Sequence, residues 1–298
     1  MGRERADVRI PSHGEQLAGS LSRPAAAAPV PGVGLAHGFS ATRDDGLPAY
    51  AEAFRDAGYA VLLFDYRHFG ASTGQPRQLL DIGRQHEDYR AAIDWARRTE
   101  GIDPDRIVLW GSSFSGGHVV AVAATDPRIA AVISQAPYTD SLPVIRRMPL
   151  KNLLKASAAA LRDRAAAMRG RPPVLIAAVG DPGTFAAMTE PDAKPGFSGI
   201  VGPESLWRNE FAARLMLKLP FYRPVRLASR LTMPVLFCVC DADTTTPASS
   251  TVVAARNAVR GELLHYPYGH FDIYLDPQVK VDQVAFLRRV LGVPDRLL

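Results

Sequence analysis

Residues 109–117 have the sequence LWGSSFSGG, in which Gly111, Ser113 and Ser115 follow the spacing of a G-x-S-x-G motif with serine in its last position. The motif puts a nucleophile on a strained turn between a strand and a helix, where bulky neighbours two residues away would collide. An apolar run before the motif and a run of small residues after it predict that strand and that helix. We therefore predict that Ser113 is a catalytic nucleophile.

Three serines lie within this stretch, and their neighbours favour Ser113 over the other two. Ser112 has Trp110 two residues before it, where the turn needs a small side chain. Ser115 would lie inside the helix. The alternative for the whole stretch is a turn rich in glycine and serine that carries no chemistry.

A serine hydroxyl is a weak nucleophile near neutral pH, so it needs a general base, and the base needs a partner that orients it. His270, in the sequence YGHFD, follows the last predicted strand in a loop that can reach the carboxyl ends of the strands. We predict that His270 is the base. Five other histidines are weaker candidates for the base, because each is expected to lie in a loop or to pack within a helix or strand: His13, His68, His86, His118 and His265.

The partner of the base is predicted to be Asp243, in the sequence CDADTTTP after another apolar strand. The chain order Ser113, Asp243, His270 is the order found in α/β-hydrolases. Asp241 is a competitor that directly abuts the strand, and Asp140 is a more distant one.

An acyl-transfer site also needs hydrogen-bond donors for the oxyanion. The sequence HGF at 37–39 directly follows a predicted strand, and we expect the backbone N–H of Phe39 to be one donor. The N–H of Phe114, next to the nucleophile, is predicted to be the second. His37 is expected to have a structural role in the loop.

Short apolar runs alternate with helical patterns through most of the chain, which predicts an α/β fold with a mostly parallel central sheet flanked by helices. The first two strands are expected to form an antiparallel pair. The predicted strands lie near residues 8–10, 17–22, 33–36, 60–65, 107–110, 129–136, 234–240 and 262–267. The predicted helices lie near residues 47–57, 81–98, 116–124, 248–260 and 271–291.

The alternation stops between residues 140 and 228, where an alanine-rich basic helix (151–169) is followed by a lone strand-like run (172–180). We interpret residues 140–228 as an inserted lid, called the cap below, which should fold over Ser113. Residues 1–139 and 229–298 form the predicted core domain.

Composition excludes a disordered chain, because 47% of the 298 residues are hydrophobic and 22% are charged. The 35 Lys and Arg residues exceed the 30 Asp and Glu residues by five, and the whole of this excess lies in the cap. No aromatic residues are interleaved with these charges, so no nucleic-acid partner is expected. Two interpretations stay open for the basic cluster, a solvated helix face or a docking surface for an anionic partner: Arg146, Arg147, Lys151 and Lys155.

Cys238 and Cys240 are two residues apart on a predicted strand, so their side chains point the same way and are expected to stay reduced. No apolar signal-peptide core or membrane-spanning run is present, which favours a cytoplasmic location and no membrane partner. No spacing typical of a metal site or a dinucleotide-binding motif occurs, so no metal and no cofactor are expected.

Taken with its strand and helix order, the chain resembles the α/β-hydrolase superfamily over nearly its full length. The resemblance rests on HGF (37–39), DYRHFGAS (65–72), GSSFSGG (111–117), the Asp243 loop and YGHF (268–271). A narrower similarity is to a branch of bacterial esterase-like hydrolases and fungal polyketide transferases and thiohydrolases, through the segments 76–96, 179–193 and 217–229. Ser115 departs from the usual glycine.

The residues and the resemblance together predict a serine hydrolase, of the carboxylesterase or thioesterase kind, that cleaves an acyl ester or thioester through an acyl-enzyme. An acyltransferase or cyclising thioesterase of biosynthesis is the alternative, and a non-catalytic binding protein is a further one. The expected partner is a small acyl substrate, free or bound to a carrier protein or CoA. The oligomeric state stays open, a homodimer being one option. Four aromatic residues are expected to line the acyl pocket: Tyr138, Trp207, Phe221 and Tyr222.

Overall fold

A computed structural model describes residues 4–292, so the first three and last six residues of the predicted core domain lie outside the described residues. The described part of the chain contains a main sheet of eight strands and a small sheet of three. The strands are β1 (Glu4–Ser12), β2 (Glu15–Arg23), β3 (Val30–Ala36), β4 (Ala60–Phe64), β5 (Ile102–Ser112), β6 (Ile129–Gln135), β7 (Leu175–Val179), β8 (Ala186–Met188), β9 (Phe211–Ala212), β10 (Val235–Cys240) and β11 (Gly261–Tyr266).

The main sheet has the order β1-β2-β4-β3-β5-β6-β10-β11. β1 and β2 form an antiparallel pair, as predicted, and β2 is antiparallel to β4. The other strands, from β4 to β11 across the sheet, run parallel to one another. The prediction of a mostly parallel sheet is confirmed, and the carboxyl ends of the parallel strands meet at one edge.

Helices cover both faces of the main sheet. The helices are α1 (Pro48–Asp56), α2 (Ile82–Arg97), α3 (Phe114–Ala123), α4 (Ser141–Arg147), α5 (Leu150–Met168), α6 (Ala193–Ile200), α7 (Ala248–Asn257) and α8 (Pro277–Leu291). Buried residues of α1 and α8, such as Phe54 and Phe286, belong to one apolar core, and those of α2, α3 and α7 belong to the other. Among the helices within residues 4–292, none has the length and apolarity that crossing a bilayer requires.

The last helix differs from the prediction. A continuous helix was expected over 271–291, whereas the structure has a short 3₁₀ turn at Asp272–Tyr274 and then α8 from Pro277. Asp276 caps α8 by accepting a hydrogen bond from the N–H of Gln278. Proline lacks an N–H and fits the first turn of a helix, so Pro277 begins α8 instead of continuing an earlier helix.

The cap lies between β6 and β10 and contains α4, α5, α6 and the small sheet of order β8-β7-β9. The strand-like run at 172–180 is therefore not alone, because β7 pairs with β8 and with β9. Asp163 of α5 is fully buried and accepts two side-chain hydrogen bonds from Arg214, at 2.7 and 2.8 Å. This ion pair joins α5 to the segment that follows β9.

Candidate active site

Ser113 lies at the turn between β5 and α3, with a φ of 57° and a ψ of −121°. A Cβ atom at Gly111 would lie 2.3 Å from the carbonyl oxygen of Ser115, and one at Gly38 would lie 3.1 Å from the Cβ of Ser113. A side chain at Gly111 would therefore collide across the turn, and one at Gly38 would force Ser113 to shift. The strained backbone of Ser113 is held by this close packing, as the spacing of the motif predicts.

His270 lies beside Ser113 and connects it to Asp243. The Nε2 atom of His270 is 2.9 Å from the Oγ of Ser113, and its Nδ1 atom is 2.6 Å from Oδ2 of Asp243. In the tautomer with the proton on Nδ1, His270 donates to Asp243 and accepts from the serine hydroxyl. The three residues come from the ends of β5, β10 and β11, and all are buried. Such an arrangement lets a histidine withdraw the serine proton.

Asp243 is fixed by hydrogen bonds from the loop that follows it. Its Oδ1 accepts from the N–H groups of Thr245 and Thr246, at 2.8 and 2.6 Å. Its Oδ2 accepts from the hydroxyl of Thr246 at 2.7 Å, and that hydroxyl lies 3.2 Å from Nδ1 of His270. Thr246 is not among the predicted site residues, although the run DTTTP contains the short-range pattern that lets an aspartate accept hydrogen bonds from the residues that follow it.

The surroundings of His270 act on its basicity in opposite directions. Burial lowers the pKa of His270, but the charge and hydrogen bond of Asp243, helped by Asp192 and Glu190, outweigh it. The net result is a pKa above the ordinary value. The imidazolium form that a general base must pass through is thus stabilised inside a buried site.

Two backbone N–H groups are free to serve an oxyanion. Among the residues that the structure describes, neither the N–H of Phe39 nor that of Phe114 donates a hydrogen bond. Phe114 is the first residue of α3, whose N-terminal end favours negative charge. The two aromatic rings pack edge to face, with centroids 5.5 Å apart, which holds the two segments together.

The other candidates for the base and for its partner lie outside the group formed by Ser113, His270 and Asp243. Asp241 is exposed and lies 2.8 Å from the ring of His265, which is also exposed. Asp140 caps α4 and forms a two-point ion pair with Arg223. The ring of His37 is buried, and its Nδ1 lies 3.0 Å from the carbonyl of Gly38. Burial lowers the pKa of His37 to about 4, so it stays neutral in the loop.

Ser115, the departure from the usual glycine, has a structural role. It is fully buried, and its hydroxyl lies 2.8 Å from the hydroxyl of Tyr89 and 3.1 Å from that of Tyr66. A glycine would leave these two phenols without this partner. The larger residue is accommodated because its side chain points into the core between α2 and the sheet.

Three neighbouring cavities lie around or beside Ser113. The inner cavity, about 60 Å³, is lined mainly by apolar side chains from both the core and the cap: Phe39, Phe114, Val144, Ile145, Met148, Ala187, Met188, Met216 and Leu219. The outer cavity, about 200 Å³, shares Met148 and Met216 with it and extends to Arg147 and Asn152. The third, here called the histidine cavity, is about 20 Å³ and lies between Ser113, His270 and Phe271.

Comparison with known proteins places the chain in a family. The model of the X-Pro dipeptidyl-peptidase (S15) family matches residues 13–166, which is just over half of the chain. The chain belongs to the S15 family. It is also similar to the quorum-quenching protein AidA of Acinetobacter baumannii (strain MDR-ZJ06), with 43% identity over 290 residues that cover 96% of this chain and 95% of AidA.

A solved structure and a further relative support the fold and the narrower resemblance. The α/β hydrolase GrgF from Penicillium sp. sh18 has a TM-score of 0.84 and 25% identity, covering 97% of this chain and 99% of GrgF. The thiohydrolase aneE of Aspergillus aculeatus is 36% identical over 148 residues, 49% of this chain and 46% of aneE. These matches confirm the predicted α/β-hydrolase fold and the resemblance to the branch that contains fungal thiohydrolases and polyketide transferases.

The aromatic residues predicted to contact substrate are distributed differently in this S15-family protein. Tyr138 lines the inner cavity. Tyr222 is buried, and its hydroxyl lies 2.6 Å from Nδ1 of His118 on α3, so it joins the cap to that helix. Trp207 stacks on Phe197, with centroids 4.5 Å apart.

Phe221 is 83% exposed, on a short 3₁₀ turn of the cap. Trp207, Phe221 and Tyr222 are absent from the lining of both described cavities that contain Ser113, so their contact with substrate stays a prediction. Aromatic character alone indicated them, and it fits packing inside the cap equally well. The apolar residues that line the inner cavity are mostly methionine and aliphatic residues of the cap, and no sequence motif marks them.

Cys238 and Cys240 are buried free thiols on β10. Within the described residues, no group of His, Cys, Asp and Glu side chains is placed to hold a metal ion.

Proposed function

We propose that this protein is a serine hydrolase that cleaves an acyl ester or thioester through an acyl-enzyme. The observation that carries the proposal is the 2.9 Å contact between Nε2 of His270 and the Oγ of Ser113, on a serine held in a strained turn. The apolar wall of the inner cavity, next to Ser113, supports an acyl chain as the group that is bound.

In the first half of the reaction, the Oγ of Ser113 attacks the acyl carbonyl while His270 accepts its proton on Nε2. The N–H groups of Phe39 and Phe114 bind the negative oxygen of the tetrahedral intermediate. His270 then gives the proton to the leaving alcohol or thiol, and the ester of Ser113 remains. Asp243 keeps the imidazole in one orientation and stabilises its charged form throughout.

In the second half, water replaces the leaving group. His270 accepts a proton from water as the water oxygen attacks the ester of Ser113, and the same oxyanion donors act again. Collapse of this intermediate returns the proton to Ser113 and releases a carboxylic acid. The histidine cavity holds His270 and has room for about one water molecule.

The direct test is labelling with a fluorophosphonate, which reacts with an activated serine, followed by peptide mass analysis. We expect one adduct, on Ser113, and loss of p-nitrophenyl butyrate hydrolysis in proportion to labelling. Absence of label on the folded protein would overturn the proposal in favour of a non-catalytic binding protein. Cleavage of an X-Pro anilide with no cleavage of esters would instead favour a peptidase, the activity after which the S15 family is named.

Acyl transfer is the second candidate, because the relatives include proteins named polyketide transferases and an acyltransferase. The same acyl-enzyme would then be attacked by an alcohol, an amine or a nucleophile within the acyl chain. Product analysis with competing nucleophiles distinguishes the two: hydrolysis yields the free acid even at high concentrations of an added alcohol.

The similarity to a quorum-quenching protein over almost the whole chain supports a small acylated signal molecule as the substrate. A carrier-bound or CoA-bound acyl group is the other option, supported by basic residues near the outer cavity. Arg147 lines that cavity and is exposed, and Lys155 lies 5.9 Å from the ring centre of Phe185, which also lines it. We also propose that the protein acts in the cytoplasm.

A further inference from the structure

In the described part of the chain, three residues that line the inner cavity have a buried side-chain oxygen without a partner, and they are Tyr138, Glu190 and Thr245. Within residues 4–292, neither Oε2 of Glu190 nor Oγ1 of Thr245 makes a hydrogen bond, although both atoms are fully buried. Both residues line the cavity that contains Ser113. A buried polar atom without a partner is costly, and native proteins keep few of them. Three such atoms on the walls of one cavity indicate that a bound molecule supplies partners, and Glu190 is the one of the three that can be charged.

Glu190 reaches this position from the cap. It follows β8, and it lines both the inner and the outer cavity. Burial raises its pKa, while its own N–H, that of Thr189 and the nearby His270 oppose the rise. Asp192, two residues later, acts in the same direction as burial. The carboxylate therefore lies close enough to the base to interact with it electrostatically.

The position of His270 indicates which part of the substrate meets Glu190. A leaving group takes its proton from His270, so it departs on the side of Ser113 where that ring lies. His270 lines the histidine cavity but not the inner cavity. The inner cavity is then the site of the acyl group, and Glu190 and Thr245 face that group.

The chemistry of the two side chains narrows the acyl group further. An ionised carboxylate only accepts hydrogen bonds, whereas a threonine hydroxyl both donates and accepts. An ammonium group would be repelled when His270 becomes positively charged during the reaction. A neutral donor, such as a hydroxyl or an amide N–H, satisfies Glu190 without this repulsion.

We propose that Glu190 and Thr245 form a polar subsite that binds a hydroxyl or amide N–H on the acyl group, close to the scissile carbonyl. This inference rests on the proposed acyl-enzyme chemistry and deepens it. The preferred substrate is a functionalised acyl group, such as a hydroxyacyl or amidoacyl group, and not a plain aliphatic one. A substrate without the donor buries the carboxylate oxygen unpaired and is disfavoured.

The test compares p-nitrophenyl 3-hydroxybutyrate with p-nitrophenyl butyrate, which share a leaving group and differ by one hydroxyl. In the unmodified protein we expect kcat/KM to be about 10- to 100-fold higher for the hydroxy ester, the range for a hydrogen bond to a charged group. Glu190→Met removes the acceptor at similar side-chain length and should abolish this ratio. Glu190→Gln keeps a neutral acceptor and should preserve part of the ratio of the two kcat/KM values. Thr245→Val should lower this ratio.

Glu204→Gln is the matched control, because Glu204 is an exposed glutamate of the cap that lines none of the three cavities, and the ratio should stay at its original value. A ratio that Glu190→Met leaves unchanged would overturn the inference. So would an equal loss on both esters with a shifted pH profile, because Glu190 would then act through His270 alone. If the unmodified protein cleaves neither ester and takes no label on Ser113, the proposed function itself fails.

Discussion

The Nε2 atom of His270 lies 2.9 Å from the Oγ of Ser113, although 157 residues separate the two in the chain. The parallel sheet brings them together, because Ser113 follows β5 and His270 follows β11 at the same edge. Asp243 follows β10, next to β11 in the sheet. The contact between Ser113 and His270 is therefore determined by loops that follow three strands of the main sheet.

The first prediction concerns the nucleophile. Ser113→Ala should lower kcat for an activated ester by about 10⁴- to 10⁶-fold, because the attacking oxygen is lost while the fold is kept. The rate of p-nitrophenyl butyrate hydrolysis and the thermal unfolding midpoint are the measurements. Ser112→Ala is the matched control: Ser112 is fully buried, and its hydroxyl accepts from Gln135 at 3.2 Å. Undiminished turnover in Ser113→Ala would contradict the assignment.

The second prediction concerns pH. His270 must be neutral to accept a proton, so kcat/KM should rise as pH rises through its pKa. Because Asp243 raises that pKa, the midpoint of the rise should lie above the ordinary histidine value near 6.5. Asp243→Asn removes the largest cause that raises the pKa of His270, while burial, which lowers that pKa, remains. The midpoint should move to lower pH, and the plateau rate should fall by about 10³- to 10⁴-fold.

A profile of kcat/KM against pH between about 5 and 9 measures both effects. Asp241→Asn serves as the control, since Asp241 is exposed and lies beside His265, away from His270. If Asp241→Asn moves the midpoint of the pH profile and Asp243→Asn does not, then Asp241, and not Asp243, is the partner of His270.

Sequence patterns located these three residues because each follows an apolar strand, and strand ends in a parallel sheet converge. The spacing of glycine and serine predicts the turn at Ser113, and the apolar runs predict the alternation of strands and helices. These patterns failed inside the cap, where no regular alternation exists. Glu190 and Met188 reach the cavity only through the way the small sheet folds over the core, which depends on contacts between segments far apart in the chain.

The third prediction concerns Ser115 and the phenols around it. Ser115→Ala should lower the free energy of unfolding by about 1–3 kcal/mol, because buried hydroxyls lose a hydrogen-bond partner. Tyr66→Phe in the same protein removes one of the groups left unpaired. The double variant should therefore lose less stability than the sum of the two single variants. Urea unfolding of the four proteins measures the coupling, and strict additivity would mean that the 3.1 Å contact contributes nothing.

The last prediction concerns the basic residues beside the outer cavity. Arg147 and Lys151 form no ion pair within the part of the chain that the structure describes, and Arg147 lines the cavity. If they dock an anionic carrier, Arg147→Glu with Lys151→Glu should raise KM for butyryl-CoA by about 10-fold at low salt, from two reversed charges. The neutral thioester S-butyryl-N-acetylcysteamine has the same acyl group and no phosphate, so its KM should not change.

Arg256→Glu with Arg260→Glu is the matched control, because it makes the same charge change at exposed positions on and just after α7. The effect on butyryl-CoA should shrink as salt rises, since screening weakens interactions between exposed charges. Equal effects of the cap variant on both thioesters, or an equal effect of the control pair on butyryl-CoA, would mean that the cluster is a solvated helix face. The acyl group would then have to be recognised inside the inner cavity alone, without help from the group that carries it.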